Sequence, residues 1–192
     1  VPIRAVFLCY LKDTGRTSDL DQLLCDESFE SWIKTKASAS LAQLDVHVRI
    51  PKAAEFLSYL PLAHETALCI ASNPDWAPVF AAMRQDRWFE EAPAEAERAA
   101  AYAGTHDVFA DTLLLAALEL QSGTEEAFLL GILRHAADFG CLASAFTAIQ
   151  RIAARMSEGA VVWGRLIKDL FSVQPAAAGA LSLQILTAPF IP

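Results

Sequence analysis

The sequence has no hydrophobic run long enough to cross a membrane. Its two most apolar segments, residues 108–120 and 128–133, are both shorter than the roughly 18 to 20 apolar residues that a transmembrane helix requires. A polar connection, residues 121–126, separates them. The apolar residues 5–11 are also too few, and no small-residue cleavage pattern follows them. We therefore expect neither a membrane span nor a signal peptide.

Clustered basic side chains are also missing. Lysine and arginine number 15 against 23 aspartates and glutamates, which gives a formal net charge of −8 at pH 7. Most of the acidic excess lies within residues 53–130. A surface that follows nucleic-acid phosphates needs clustered Lys and Arg, so the sequence predicts no nucleic-acid partner.

Cysteine pairs and the common cofactor motifs are absent as well. The four cysteines, Cys9, Cys25, Cys69 and Cys141, are far apart, and none forms a CxxC motif or a Cys/His pair at metal-ligand spacing. We therefore predict buried free thiols and a reducing intracellular compartment, either the cytoplasm or an organelle matrix. The sequence contains no P-loop, GxGxxG, GxSxG or HExxH motif, so no cofactor is predicted.

The sequence is rich in alanine, and its many apolar residues recur at helical spacing. Hydrophobic residues make up 54% of the chain, and the mean hydropathy is +0.31. From Pro51 onward, capping residues and apolar stripes recur, and they predict an all-α fold in a single domain, residues 1–192. Residues 1–50 form its less regular N-terminal part in this interpretation, and residues 51–192 a helical body. The predicted helices cover residues 52–60, 62–72, 74–89, 93–103, 141–157, 161–173 and 176–187.

The most apolar part of the chain, residues 105–140, predicts a central helical hairpin. Thr105 follows Gly104 and can cap the first helix, and the turn around Gly123 precedes the second helix, which closes at Gly140. Both helices are apolar on nearly every side. We therefore expect the other helices to cover them, in a multi-helix bundle or a short irregular helical array.

In one short segment, apolar and polar residues alternate as they do in a β-strand. In residues 45–50, Val46, Val48 and Ile50 would share one strand face, and Pro51 ends the pattern. Paired with the apolar residues 3–11, this segment would form a small N-terminal β-ribbon. The sequence therefore confines any strand to residues 3–50.

Histidine and aspartate residues provide a candidate metal set. His64, the adjacent pair His106 and Asp107, and a later aspartate, Asp138 or Asp169, occur in that order in a helical chain. The order resembles the ligand pattern of HD-domain phosphohydrolases. That resemblance implies a divalent metal that activates water for phosphoester cleavage, with His64, His106, Asp107 and Asp138 as its ligands.

An aromatic pair followed by an acidic run predicts a partner-binding surface. The aromatic rings would supply apolar anchors, and the acidic side chains would select a basic partner. The residues of this surface are Trp88, Phe89, Glu90, Glu91, Glu95 and Glu97.

The function that the sequence favours is a non-catalytic protein–protein interaction module, either an adaptor or an accessory subunit of a larger assembly. Its partner would be another protein or a second copy of the chain. No catalytic residue is assigned, and an enzyme is the less favoured class. Two alternatives stay open, namely a metal-dependent HD-like phosphohydrolase and a helical protein that encloses an apolar ligand.

Overall fold

Most of the helices form in segments where capping residues and apolar stripes predict them. The computed structural model describes residues 26–92, 101–104, 107–121, 123–155, 164–166 and 168–169, and our element numbers follow the chain through that part. Its helices are α1 (Asp26–Ser40), α2 (Val46–Ser58), α3 (His64–Ser72), α4 (Ala77–Gln85), α5 (Asp107–Leu120), α6 (Glu125–Asp138) and α7 (Leu142–Ala153). Residues 164–166 and 168–169 are also helical. The predicted mainly α-helical fold is confirmed.

A small antiparallel sheet lies after residue 51, so the prediction that any strand is confined to residues 3–50 is wrong. Its strands are β1 (Leu62–Ala63), β2 (Phe89–Ala92) and β3 (Ala101–Gly104), in the spatial order β1-β3-β2. The helix predicted over residues 74–89 is shorter, since α4 ends at Gln85 and Phe89 lies in β2. In the helix predicted over residues 93–103, residues 101–103 lie in β3 and residues 93–100 lie outside the described residues.

Tertiary packing explains the strand at β3. The buried ring of Tyr102 packs edge-on against Phe80 and Phe89, at centroid distances of 5.9 and 5.7 Å. Alanine neighbours favour a helix only weakly, by less than about 1 kcal/mol per residue over most other residue types. The packing of one large aromatic ring outweighs that preference.

The alternating residues 45–50 belong to a helix, so the predicted strand there is wrong. Asp45 caps α2 by accepting a hydrogen bond from the backbone N–H of His47 at 3.0 Å, and Pro51 lies inside the helix. Val46 and Val48 are exposed, so the alternation marks no buried strand face. The other half of the predicted β-ribbon, residues 3–11, lies outside the described residues.

The most extensive helix packing is between α2 and α5. Both helices bury alanines, Ala53 and Ala54 on α2 and Ala110 and Ala117 on α5, and small side chains shorten the distance between helix axes. Helices α1 and α7 also pack on α5. The two helices of the predicted hairpin therefore form, but α5 packs mainly on α2, whereas α6 packs mainly on α7.

A left-handed turn after α4 directs the chain back into the core. Arg87 has a φ of 55°, and the backbone N–H of Trp88 donates a hydrogen bond to the carbonyl of Met83 at 3.0 Å. This arrangement closes the last turn of the helix and starts β2 in a new direction. As a consequence, Trp88 and Phe89 point beneath the surface.

Candidate functional site

The aromatic pair of the predicted partner surface lies in the core. Trp88 is 1% exposed, and its Nε1–H donates a hydrogen bond to the Ser40 hydroxyl at 2.9 Å. Phe89 is 2% exposed and packs against Phe56 at a centroid distance of 5.3 Å. Neither ring can serve as an exposed anchor, so this part of the prediction is corrected. The reason is that both rings find packing partners in distant parts of the chain.

The acidic residues of that surface are exposed where the structure describes them. Glu90 and Glu91 both lie on β2, and Glu91 forms an ion pair with Arg84 at 3.8 Å. Glu95 and Glu97 lie outside the described residues. Two of the four acidic side chains of the predicted surface are therefore exposed on β2.

The candidate metal ligands that the structure describes make other contacts. The ring of His64 stacks on a tyrosine of β3 at a centroid distance of 6.2 Å, and Asp107 faces Arg151 Nη1 at 3.8 Å. Asp138 is exposed at the end of α6. No three His, Cys, Asp or Glu side chains come close enough to hold a metal ion among the residues that the structure describes. His106 is not one of these residues, so the complete set stays a prediction.

The two described cysteines are free and differ in exposure. Cys141 is buried as predicted, whereas Cys69 is exposed, so the prediction is wrong for Cys69. Burial raises the pKa of the Cys141 thiol to about 12, because the thiolate would lose its hydration. Cys9 and Cys25 lie outside the described residues.

A buried carboxylate links α2 to α6. Glu55 Oε1 accepts a hydrogen bond from the Tyr59 hydroxyl at 2.7 Å and lies 2.6 Å from His135 Nδ1. Lys52 Nζ lies 3.5 Å from the other carboxylate oxygen and 3.6 Å from the centroid of the Trp76 ring. Burial, followed by the Glu55 charge, raises the pKa of Tyr59, so its hydroxyl remains a donor. These polar groups satisfy one another, and the cluster is complete without a ligand.

A small cleft opens where the end of α2, β3, the first turn of α5 and α7 meet. Its volume is about 150 Å³. The lining residues are Leu57, Leu60, Pro61, Trp88, Ala103, Gly104, Asp107, Phe109, Ala110 and Arg151. Most of this lining is apolar, while Asp107 and Arg151 supply opposite charges. A Cβ at Gly104 would lie 3.3 Å from Leu60 Cδ1, so the glycine allows β3 to approach the segment between α2 and β1 closely.

Asp111 holds the arginine of this cleft in place. Asp111 is 2% exposed, and its Oδ1 accepts a hydrogen bond from Arg151 Nε at 3.0 Å and lies 2.9 Å from Nη2. Arg155 Nη2 lies 3.4 Å from the other oxygen, Oδ2. A buried carboxylate requires such partners, because an unpaired charge in the interior is strongly destabilising. The two contacts with Oδ1 fix the orientation of the Arg151 guanidinium.

The cleft suits an apolar group of about the size of one side chain. A cavity of about 150 Å³ with an apolar lining accommodates a ring the size of benzene. Pockets for drug-sized ligands are larger, roughly 300 to 1,000 Å³. Among the residues that the structure describes, the titratable side chains that line the cleft are Asp107 and Arg151.

Comparisons with protein-family models, with curated proteins and with solved structures find no match to this chain. Within the described part of the chain, no helix is both long enough and apolar enough for a membrane crossing. Function must therefore be inferred from the chemistry of the site itself.

Sequence reasoning missed the pair Asp111 and Arg151, although one signal was available. Asp111 interrupts the most apolar helix of the chain, and a carboxylate at such a position needs a cationic partner. Arg151 and Arg155 are one helical turn apart and present two cations on the same helix face. The contact joins residues 40 positions apart, which a single sequence does not reveal.

Proposed function

We propose that this protein is a non-catalytic protein–protein interaction module, an adaptor or an accessory subunit of a larger assembly. The cleft between α2, β3, α5 and α7 carries the proposal, because most of its described lining residues are apolar and its volume matches one side chain. In this interpretation, a partner protein places one apolar side chain in the cleft. Anchors of this kind supply most of the binding energy of many interfaces.

The walls of the cleft support this role because they are already fixed. The ring of Trp88 is held by the hydrogen bond to Ser40 and by a T-shaped contact with Phe109 at a centroid distance of 5.7 Å. A rigid wall requires little reorganisation when a ligand binds. Burying one large apolar side chain then contributes about 1.5 to 3 kcal/mol to the affinity.

Acidic side chains beside the cleft favour a basic partner. Glu90 pairs directly with Ala103 across β2 and β3, so the two side chains project from the same face of the sheet. Ala103 lines the cleft, and Glu90 therefore lies at its border. A partner with Lys or Arg next to its apolar anchor should associate faster, and salt should reduce this advantage.

A peptide-display experiment tests the proposal. Random peptides are selected on the immobilised full chain, and the enriched peptides are synthesised for calorimetric titration. We expect enrichment of peptides with an apolar residue next to Lys or Arg. Ala103→Phe should fill the cleft from an exposed position and weaken binding at least about tenfold. Ala127→Phe, at an exposed position on α6, is the matched control and should leave the affinity unchanged.

Two outcomes contradict the proposal. One is a selection that enriches no peptide, and the other is equal affinity of the Ala103→Phe variant and the unmodified chain. Stopped-flow measurements on Glu90→Lys provide a separate test of charge. The variant should slow association of a basic peptide at low salt and behave like the unmodified chain at high salt.

A further inference from the structure

Among the residues that the structure describes, the hydrogen-bond partners of the Arg151 guanidinium leave donors unused at the cleft. A guanidinium carries five N–H groups, and Asp111 engages those on Nε and Nη2. Nη1 lies 3.8 Å from Asp107 Oδ2, which is too far for a hydrogen bond. The Asp107 side chain is 78% exposed, and an ion pair this open contributes little. Arg151 Nη1 can therefore exchange Asp107 for another carboxylate.

Asp111 also makes Arg151 a rigid cation. A free arginine side chain loses considerable rotamer entropy when it binds an anion. Here the buried Asp111 already restrains the guanidinium, so less entropy is lost when a ligand arrives. Arg155 contacts Oδ2 of Asp111 and is not among the residues that line the cleft. Arg151 is thus oriented before binding.

We propose that the cleft binds the carboxyl terminus of a partner chain that ends in an apolar residue. The terminal side chain occupies the apolar part of the cleft, and the terminal carboxylate accepts hydrogen bonds from Arg151 Nη1. This inference rests on the proposed function and specifies the anchor that the partner supplies.

The dimensions of the cleft favour a terminus over an internal acidic residue. A volume of about 150 Å³ holds one group of residue size, and Arg151 is part of its lining, so a ligand that carries the apolar group and the carboxylate on neighbouring atoms fits it well. In a C-terminal residue, both are attached to the same Cα. An internal segment would carry them on different residues, and its continuing backbone would bring further N–H and C=O groups that need partners.

Short synthetic peptides test this inference on the unmodified full chain. The probes are acetylated hexapeptides that contain two lysines and end in leucine, isoleucine or phenylalanine, each as the free acid and as the C-terminal carboxamide. The carboxamide keeps the side chain and removes the charge. We expect the free acids to bind roughly 10- to 100-fold more tightly, the range for a hydrogen bond to a charged group.

Three variants test whether Arg151 binds the terminal carboxylate of the peptide. Arg151→Gln should abolish the preference for the free acid, whereas Arg155→Gln should retain it and controls for the weakened contact with Asp111. Asp107→Asn removes the competing carboxylate and should raise the affinity for the free acid about two- to fivefold. Circular dichroism and thermal unfolding establish that each variant is folded.

The possible results separate this inference from the function on which it rests. Equal affinity of free acids and carboxamides overturns the inference and leaves binding of an apolar side chain intact. If neither form binds, both are overturned. A loss of affinity in Asp107→Asn would show that Asp107 itself contacts the ligand, and this result also overturns the carboxylate assignment.

Discussion

Two glycines, Gly131 in the middle of α6 and Gly140 just after it, should respond to the same substitution with opposite signs. Gly131 lies inside the helix, and a Cβ added there meets no atom within 4 Å. Alanine is favoured over glycine in a helix interior by about 1 kcal/mol, so Gly131→Ala should stabilise the protein by about that amount.

Gly140 presents the opposite case because its backbone is left-handed. Its φ is 75°, and the next residue, Cys141, donates its backbone N–H to the carbonyl of Ala136 at 2.8 Å, which closes the helix. A Cβ at Gly140 also meets no atom within 4 Å, so the penalty comes from the backbone alone. Gly140→Ala should therefore destabilise the protein by about 1 to 2 kcal/mol.

Urea unfolding at constant temperature, followed by tryptophan fluorescence, measures both effects. The buried rings of Trp76 and Trp88 should report loss of the core. The two midpoints should move in opposite directions with unchanged slopes, and the double variant should lie near the sum of the single changes. Two changes of the same sign would refute the assigned backbone conformation of Gly140 or the open space at Gly131.

The remaining predictions concern the core and the thiols. Leu114→Ala should destabilise the protein by about 2 to 5 kcal/mol, because Leu114 is fully buried. Leu130→Ala should destabilise it less, because Leu130 is half-buried. Urea unfolding of both variants measures the difference. At pH 8, iodoacetamide should modify Cys69 and spare Cys141 until the chain unfolds, and peptide mass mapping decides. The pKa of the Cys141 thiol is raised to about 12 in the folded chain, so with rising pH the unfolded chain loses the thiol proton before the folded chain does. The free energy of unfolding should therefore fall between about pH 9 and 12. Cys141→Ala should reduce that fall by about 2 kcal/mol at pH 10.5.

The sequence was sufficient for the features that depend on neighbours along the chain. The apolar stripes of α5, α6 and α7 repeat over residues three or four apart in the chain, and all three helices form. Gly140 is an example. A glycine after an apolar stripe predicts a left-handed helix end, and Gly140 has the positive φ that this prediction requires. Local chemistry of this kind can be recognised without knowing the fold.

The strands and the cleft depend on contacts between distant residues. Trp88 looks like an exposed anchor in the sequence, but its Nε1–H bonds to Ser40, 48 positions away. Glu55 and His135 meet across 80 positions. Helix packing determines the partners of these side chains, so the periodicity of the sequence alone predicts neither their burial nor their role.

The burial of Asp111 is better explained by the position of Arg151 than by stability. Replacing a buried ion pair with apolar side chains of similar volume is often neutral or stabilising, by about 1 to 4 kcal/mol. Leu113 and Leu114, which follow Asp111 on α5, are fully buried, so an apolar side chain at position 111 would match the helix around it. Without Asp111, however, Arg151 would lose the two contacts that orient its guanidinium at the cleft. On the proposed function, Asp111 is a positioning residue, because its carboxylate requires partners that the core does not need and it orients the Arg151 guanidinium at the cleft.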